Sequence, residues 1–379
     1  MTSKLILFHQ IIKCSINLFG SFQRETKYLS LKEIVKNMKA FKFILFLLMI
    51  LLIGCSIYVA VQPNHYEVIR TRTIDAPTAV IYDHVIEFKT WENWTAWIEE
   101  KPDTKITYPE QTKGVGGSYS WVDDDGLGNM KTLAATRPNN IEQSLKFDDY
   151  EPSKVTWNFE PTQDGKTNVT WTMKGDKIPF GFKLYAVFSG GFDNMIGPDF
   201  ERGLEKLDSI VVESTKKHEI TVNGITEYGG GFYLYKTTNA KDSNISQKMA
   251  EQYGSLMAYV TQHNIAMAGM PLTIYNEMNP EDGTVIMSNG LPVNQKIEVA
   301  EDSDISCGYM EKTKVLKTTL KGNYTYLADA WDVALKYIVD NNLVQSEEKP
   351  FEIYTNDPGE FPNPADWVTE IYIPIVENN

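Results

Sequence analysis

Pro271-Leu272-Thr273-Ile274-Tyr275 and Pro350-Phe351-Glu352-Ile353-Tyr354 read as one short strand written twice, 79 positions apart. The residues ahead of them repeat too. Met249, Tyr253, Leu256, Met257 and Val260 form one stripe at helical spacing, and Leu327, Trp331, Ala334, Leu335 and Ile338 form another, each member offset by 78. The helix ends also correspond, Tyr259–Ile265 with Tyr337–Leu343. A strand precedes each helix, 231–237 and 314–320, and each copy runs through an Asn/Pro turn into a last strand, 284–287 and 369–375. Residues 218–377 are therefore expected to form a duplicated β-α-β-β domain of the α+β class, with antiparallel strands and its helices on one side. The two copies are expected to leave a groove between them, a natural place for a small ligand.

The second copy resembles the GyrI-like, or AraC-type effector-binding, family. The residues that carry the resemblance are Ala330-Trp331, the run Lys349–Glu360 (Lys-Pro-Phe-Glu-Ile-Tyr-Thr-Asn-Asp-Pro-Gly-Glu), and Thr369-Glu370-Ile371-Tyr372-Ile373-Pro374. The resemblance implies binding of amphipathic, often cationic, small molecules between the copies, with a carboxylate on the last strand among aromatic rings. Glu370 stands at that position. By strand alternation it shares a face with Val368 and Tyr372, while Ile371 and Ile373 take the other. A carboxylate in a partly apolar groove is costly without a partner, and a lipophilic cation supplies one, with rings adding cation–π attraction. Tyr275, Tyr309, Tyr324, Trp331, Tyr354 and Tyr372 are the candidate rings. The plainer readings are an internal salt bridge or a solvated face for Glu370, and core packing for Trp331 and Tyr354, which recur in the repeat.

Upstream, residues 66–216 read as a second α+β domain. Tyr66–Ile74 alternates as a strand, and Asp75-Ala76-Pro77 opens a helix carrying Val80, Ile81, Val85 and Phe88. Six strands follow, near 105–108, 116–122, 130–137, 141–147, 155–160 and 168–174, separated by turns such as Asp124-Asp125-Gly126 and Gln163-Asp164-Gly165. A closing helix places Phe200, Leu204, Leu207 and Val211 on one face. This order, with Ile74-Asp75-Ala76-Pro77 near the start and Met195–Leu204 at the last helix, resembles the helix-grip fold of the START/polyketide-cyclase (SRPBCC) superfamily. That fold wraps a curved antiparallel sheet around a long C-terminal helix, and it hosts transport, binding and catalysis alike. Trp91, Trp94 and Trp97 recur every three residues, fitting either the mouth of an apolar cavity or packing of a short helix onto the sheet. Asp123–Asp125 lacks the alternation of a calcium loop, and His84 has no second ligand in metal spacing.

Phe43–Val61 contains 19 residues without a charge, about 28 Å as a helix, and matches the thickness of a bilayer. Lys32, Lys36, Lys39 and Lys42 precede it, and the flank behind it is nearly balanced. The expected topology is a single-pass anchor with residues 1–42 in the cytoplasm and the remainder on the far side, which in a bacterium is the periplasmic face of the inner membrane. A lipoprotein signal is the alternative, since Leu52-Ile53-Gly54-Cys55 fits a lipobox, although the apolar run continues past Cys55. Met38-Lys39-Ala40-Phe41-Lys42 resembles a natural start, which would leave residues 1–37 untranslated.

The whole chain of 379 residues carries a formal charge of −14. Residues 1–61 hold eight basic and two acidic side chains, leaving 28 basic against 48 acidic beyond them. Such an acidic body disfavours nucleic acid as a partner. Three cysteines (Cys14, Cys55, Cys307) provide neither a disulfide framework nor a thiolate metal cage, no phosphate-loop, zinc-protease or nucleophile-elbow motif occurs, and no cofactor is expected. The leading expectation is a membrane-anchored protein that senses or sequesters hydrophobic or cationic small molecules and is not an enzyme. The alternatives are hydrolysis of electrophilic small molecules, with Glu370 as base and Tyr324 or Tyr372 beside it, and lipid or quinone binding by the helix-grip domain.

Overall fold

The computed structural model describes residues 31–376 apart from Asp125, Asp242 and Pro280, with the backbone alone for residues 31–37. The expectations for residues 1–30, including Cys14, and the third carboxylate of the Asp123–Asp125 run lie outside the described residues. The chain divides into two compact units between Ser209 and Ile210.

Among the described residues the first unit starts with a long helix, α1 (Leu31–Ala60), of which Met38–Ala60 is long and apolar enough to cross a membrane. Strand β1 (His65–Ile74), helix α2 (Thr78–Ile86), a 3-10 turn (Phe88–Asn93) and the short helix α3 (Ala96–Glu100) follow. Strands β2 (Lys105–Thr107), β3 (Ser118–Asp123), β4 (Gly126–Thr136), β5 (Asn140–Phe147), β6 (Ser153–Pro161) and β7 (Thr167–Asp176) complete an antiparallel sheet ordered β1-β7-β6-β5-β4-β3-β2. Each inferred strand is present, because apolar-polar alternation fixes which face is buried. After β7 come α4 (Phe180–Phe188), which sequence periodicity did not reveal, and the long α5 (Phe192–Thr215), whose last turns pass the division between the units.

The hollow of this sheet is filled with rings. Trp91 and Trp94 are fully buried, and with Trp157 and Trp171 they form a continuous cluster whose centroids lie 4.3–6.3 Å apart. Phe200 of α5 stacks on Trp171 at 3.8 Å. Of the two readings of the tryptophan triplet, packing against the sheet is therefore the one observed for Trp91 and Trp94. Trp97, half-buried beside Trp91 and Trp171, flanks the same cluster. His84 bonds through Nδ1 to the Val80 carbonyl at 2.9 Å, a local helix contact.

The second unit holds one antiparallel sheet of eight strands: β8 (Glu219–Tyr228), β9 (Gly231–Lys241), β10 (Leu272–Asn279), β11 (Thr284–Val293), β12 (Ser306–Met310), β13 (Thr313–Lys321), β14 (Phe351–Tyr354) and β15 (Val368–Pro374). Helix α6 (Ile245–Gln262) follows β9, and α7 (Leu327–Asp340) follows β13. The order β12-β9-β11-β10-β14-β15-β13-β8 is the repeat made visible: β9-β11-β10 in one half mirrors β13-β15-β14 in the other. The two copies of the quoted strand meet at the centre. Thr273 faces Glu352 across the β10–β14 pair, flanked by Leu272–Ile353 and Ile274–Phe351. The pseudo-twofold axis therefore passes between Thr273 and Glu352, which are equivalent positions of the repeat. Each helix covers its own half, α6 on Leu234, Leu291 and Val293, and α7 on Leu316, Leu320, Ile371 and Ile373.

Candidate functional site

Helices α6 and α7 both pack on one face of the sheet, and the strands β10 and β14 lie between them on the axis. Side chains at alternate positions of these strands point to that face. They are Thr273 and Tyr275 from one copy, and Glu352 and Tyr354 from the other. Tyr253 of α6 and Trp331 of α7, again equivalent in the repeat, lean in from each side. The six residues form one polar and aromatic cluster built from three equivalent pairs.

Glu352 is its charged centre, 1% exposed. The Trp331 indole Nε1 donates to its Oε1 at 2.6 Å, and the Tyr354 hydroxyl donates to Oε2 at 2.7 Å. The nearby Tyr275 hydroxyl also favours the ionised form. Burial pushes the Glu352 carboxyl above the ordinary glutamate range, and the three donors oppose that push without cancelling it. No basic side chain among the described residues pairs with it. Burial, reinforced by the Glu352 charge, holds the hydroxyls of Tyr275 and Tyr354 well above the usual tyrosine range, so both remain donors at neutral pH. Tyr324, beside Tyr354 at a centroid distance of 5.6 Å, is pushed up to about 12, chiefly by burial.

The polar contacts continue into the first copy. The Tyr354 and Thr273 hydroxyls lie 3.3 Å apart, Thr273 donates to Asn289 Oδ1 at 2.7 Å, and Asn289 Nδ2 donates to Gln252 Oε1 at 2.6 Å. Tyr253 donates to the Leu272 carbonyl at 2.7 Å and lies 2.9 Å from the Thr273 hydroxyl. A buried chain of polar groups thus joins Glu352 to α6 across the axis. Such a network fixes the relative position of the two copies when each member is satisfied.

Four of the seven residues expected from sequence come together here: Trp331, Tyr354, Tyr275 and Tyr324. Tyr275 and Trp331 meet edge to face at 5.5 Å. The other three do not join them. Glu370 pairs with Ile353 across β14–β15, and Tyr372 pairs with Phe351, so both lie on the face away from the helices. There Glu370 receives a bond from the Tyr372 hydroxyl and an ion pair from Lys317 at 2.7 Å, which compensates its charge. Tyr372 stacks on Phe351 at 5.0 Å in a separate apolar cluster. Tyr309, on the edge strand β12, packs against Phe232 and is half exposed. The carboxylate that faces the helices is Glu352. Alternation correctly put Glu370 on the same face as Tyr372, but it does not say which side of a sheet the helices cover. The repeat carried that signal: Glu352 replaces Thr273 in a strand that is otherwise apolar or aromatic. Among the described residues, no group of three or more His, Cys, Asp or Glu is placed to hold a metal ion.

Residues 232–376 match the family model described as GyrI-like small molecule binding domain, and residues 75–197 match the model described as Activator of Hsp90 ATPase homolog 1-like protein. No curated protein matches the chain. Among solved structures, the C-terminal domain of EcmrR is 16% identical over 42% of this chain and 99% of its own, with a TM-score of 0.35. Protein CV1439 from Chromobacterium violaceum is 16% identical over 39% of this chain and 98% of its own, with a TM-score of 0.29. Protein MLL2253 from Mesorhizobium loti is 19% identical over 39% and 98%, also with a TM-score of 0.29. The chain thus carries an SRPBCC-like domain of the Activator of Hsp90 ATPase homolog 1-like type, followed by a GyrI-like small molecule binding domain.

Proposed function

We propose that this is a membrane-anchored binding protein whose GyrI-like domain, residues 218–377, takes up amphipathic cations at the Glu352 cluster, while residues 66–216 form the helix-grip domain. The observation that carries this reading is a fully buried carboxylate held by indole and phenol donors, with no basic partner among the described residues. Such a charge is expensive to bury alone. A cation that displaces part of the ring cover would regain Coulomb energy with Glu352. It would also meet the faces of Trp331, Tyr275 and Tyr354, each worth about 0.5–2 kcal/mol in cation–π attraction. The acidic balance of the chain beyond residue 61 favours the approach of cations over anions. The 23-residue apolar segment Met38–Ala60 supports the anchor, and the lysines before it support a periplasmic orientation of the soluble units.

The test is thermal unfolding of the full chain in detergent with tetraphenylphosphonium and with a neutral amphiphile of similar size, repeated on Glu352→Gln. At 100 times its dissociation constant, the cation is expected to stabilise the wild type by about 2.7 kcal/mol. Glu352→Gln should lose that shift and keep any response to the neutral compound. A cation shift that survives the substitution overturns the assignment of Glu352.

A further inference from the structure

We propose that helix α4 is a second membrane element, embedded in the leaflet next to the end of the α1 span, and that the groove between the two helices holds a lipid acyl chain. This rests on the anchor reading. The observations are independent of the Glu352 site. Helix α4, Phe-Gly-Phe-Lys-Leu-Tyr-Ala-Val-Phe, has one charged residue in nine. Ala186 is buried, but the two phenylalanines at the ends of the helix stay out of the domain core: Phe188 is 78% exposed and Phe180 47%. Two phenylalanines presented on one short helix gain free energy when they enter lipid.

The helix lies against α1. Val59 is buried, and an apolar groove of about 470 Å³ runs between Ile50, Gly54 and Val59 on one side and Leu184, Val187 and Phe188 on the other. Val59 back to Ile50 covers about 14 Å of helix axis at roughly 1.5 Å per residue. That is close to half of a hydrocarbon core about 30 Å thick. If α1 spans the bilayer, the groove lies inside one leaflet, where the solvent is acyl chain. Gly54 lacks a side chain and has nothing within 4 Å of where its Cβ would stand, which leaves this side of α1 open.

The polar groups around α4 fit the same placement. Lys183, 6% exposed, does not face lipid. Its ammonium donates to the Gln62 carbonyl at 2.9 Å, just past the end of the span, which returns the charge to the interface. Tyr58 in the last turn of α1 and Tyr150, whose ring meets Phe182 edge to face at 5.2 Å, are both half exposed. Tyrosines with an apolar body and a wet hydroxyl settle at the headgroup level.

The test uses the full chain with Cys14, Cys55 and Cys307 changed to serine, reconstituted in phosphatidylcholine vesicles and spin-labelled at Ile53→Cys, Phe188→Cys or Asp164→Cys. The last is an exposed turn residue and serves as the aqueous reference. Collision with oxygen is compared with collision with a water-soluble nickel chelate. The oxygen-to-nickel ratio at Phe188→Cys is expected to match that at Ile53→Cys and to exceed that at Asp164→Cys severalfold. A Phe188 label that behaves like Asp164, with Ile53 still in hydrocarbon, overturns the proposal and leaves the anchor standing. If Ile53 also behaves like Asp164, the anchor and the proposal fail together. Phe188 is exposed, so its replacement leaves the fold intact.

Discussion

At the scale of the residue, Glu352 sets the terms. Its folded-state carboxyl is held above the ordinary glutamate value of 4.5 by burial, so the folded protein retains this proton at a pH where the unfolded chain has released it. Stability therefore falls as pH rises from about 4.5 through the folded pKa, and levels off above it. Many carboxylates titrate in the same range, so the useful quantity is a difference. The melting temperature of wild type minus that of Glu352→Gln is expected to decline across this window and then flatten, measured from pH 4 to 8. A flat difference would mean that the three donors compensate the buried charge in full. The recurrence of Trp331 and Tyr354 in the repeat was legible, yet their role as donors was not, because a sequence shows recurrence and not the group at the end of the bond. Lys317, which compensates Glu370 at 2.7 Å, lies 53 positions away in sequence and on a different strand, so nothing in the last-strand motif announced it.

At the scale of the element, the repeat was readable because each helix and strand buries one face and repeats the same spacing. The limits of that reading are also symmetric. Met257 and Leu335 sit at equivalent positions of the two stripes, and both are part exposed at the edge of the packed face. Helix α4 was missed for a different reason: a nearly continuous apolar run of nine residues has no stripe to detect. Two glycines test how strictly the elements are packed. Gly128 in β4 faces Trp121 across the β3–β4 pair, and a Cβ there would lie 2.1 Å from the indole. Gly128→Ala is expected to destabilise the first unit by about 1–3 kcal/mol through overpacking. Gly254 in α6 has nothing within 4 Å of where a methyl group would stand, and Gly254→Ala is expected to stabilise the second unit by about 0.5–1 kcal/mol through helix propensity. Calorimetric scans of both variants check the pair. A neutral Gly128→Ala would mean that Trp121 turns aside at little cost.

At the scale of the whole molecule, charge and hydropathy are arranged along the chain in a way that no single domain explains. Four lysines, Lys32, Lys36, Lys39 and Lys42, stand before or at the start of the apolar segment, while the chain beyond residue 61 holds 48 acidic against 28 basic side chains. Positive flanks are retained on the cytoplasmic side, and acidic residues contribute little to orientation. The lysines should therefore decide the topology, whatever the charge of the soluble units. Alkaline phosphatase fused after Asn379, expressed in a bacterial host, is expected to be active, since it folds only where its disulfides form. Changing Lys36, Lys39 and Lys42 to glutamine should lower that activity by letting part of the population insert the other way. A fusion that is inactive with the lysines in place would put the Glu352 cluster on the cytoplasmic side. It would then meet amphipathic cations only after they had crossed the bilayer, and α4 would lie in the inner leaflet instead of the outer one.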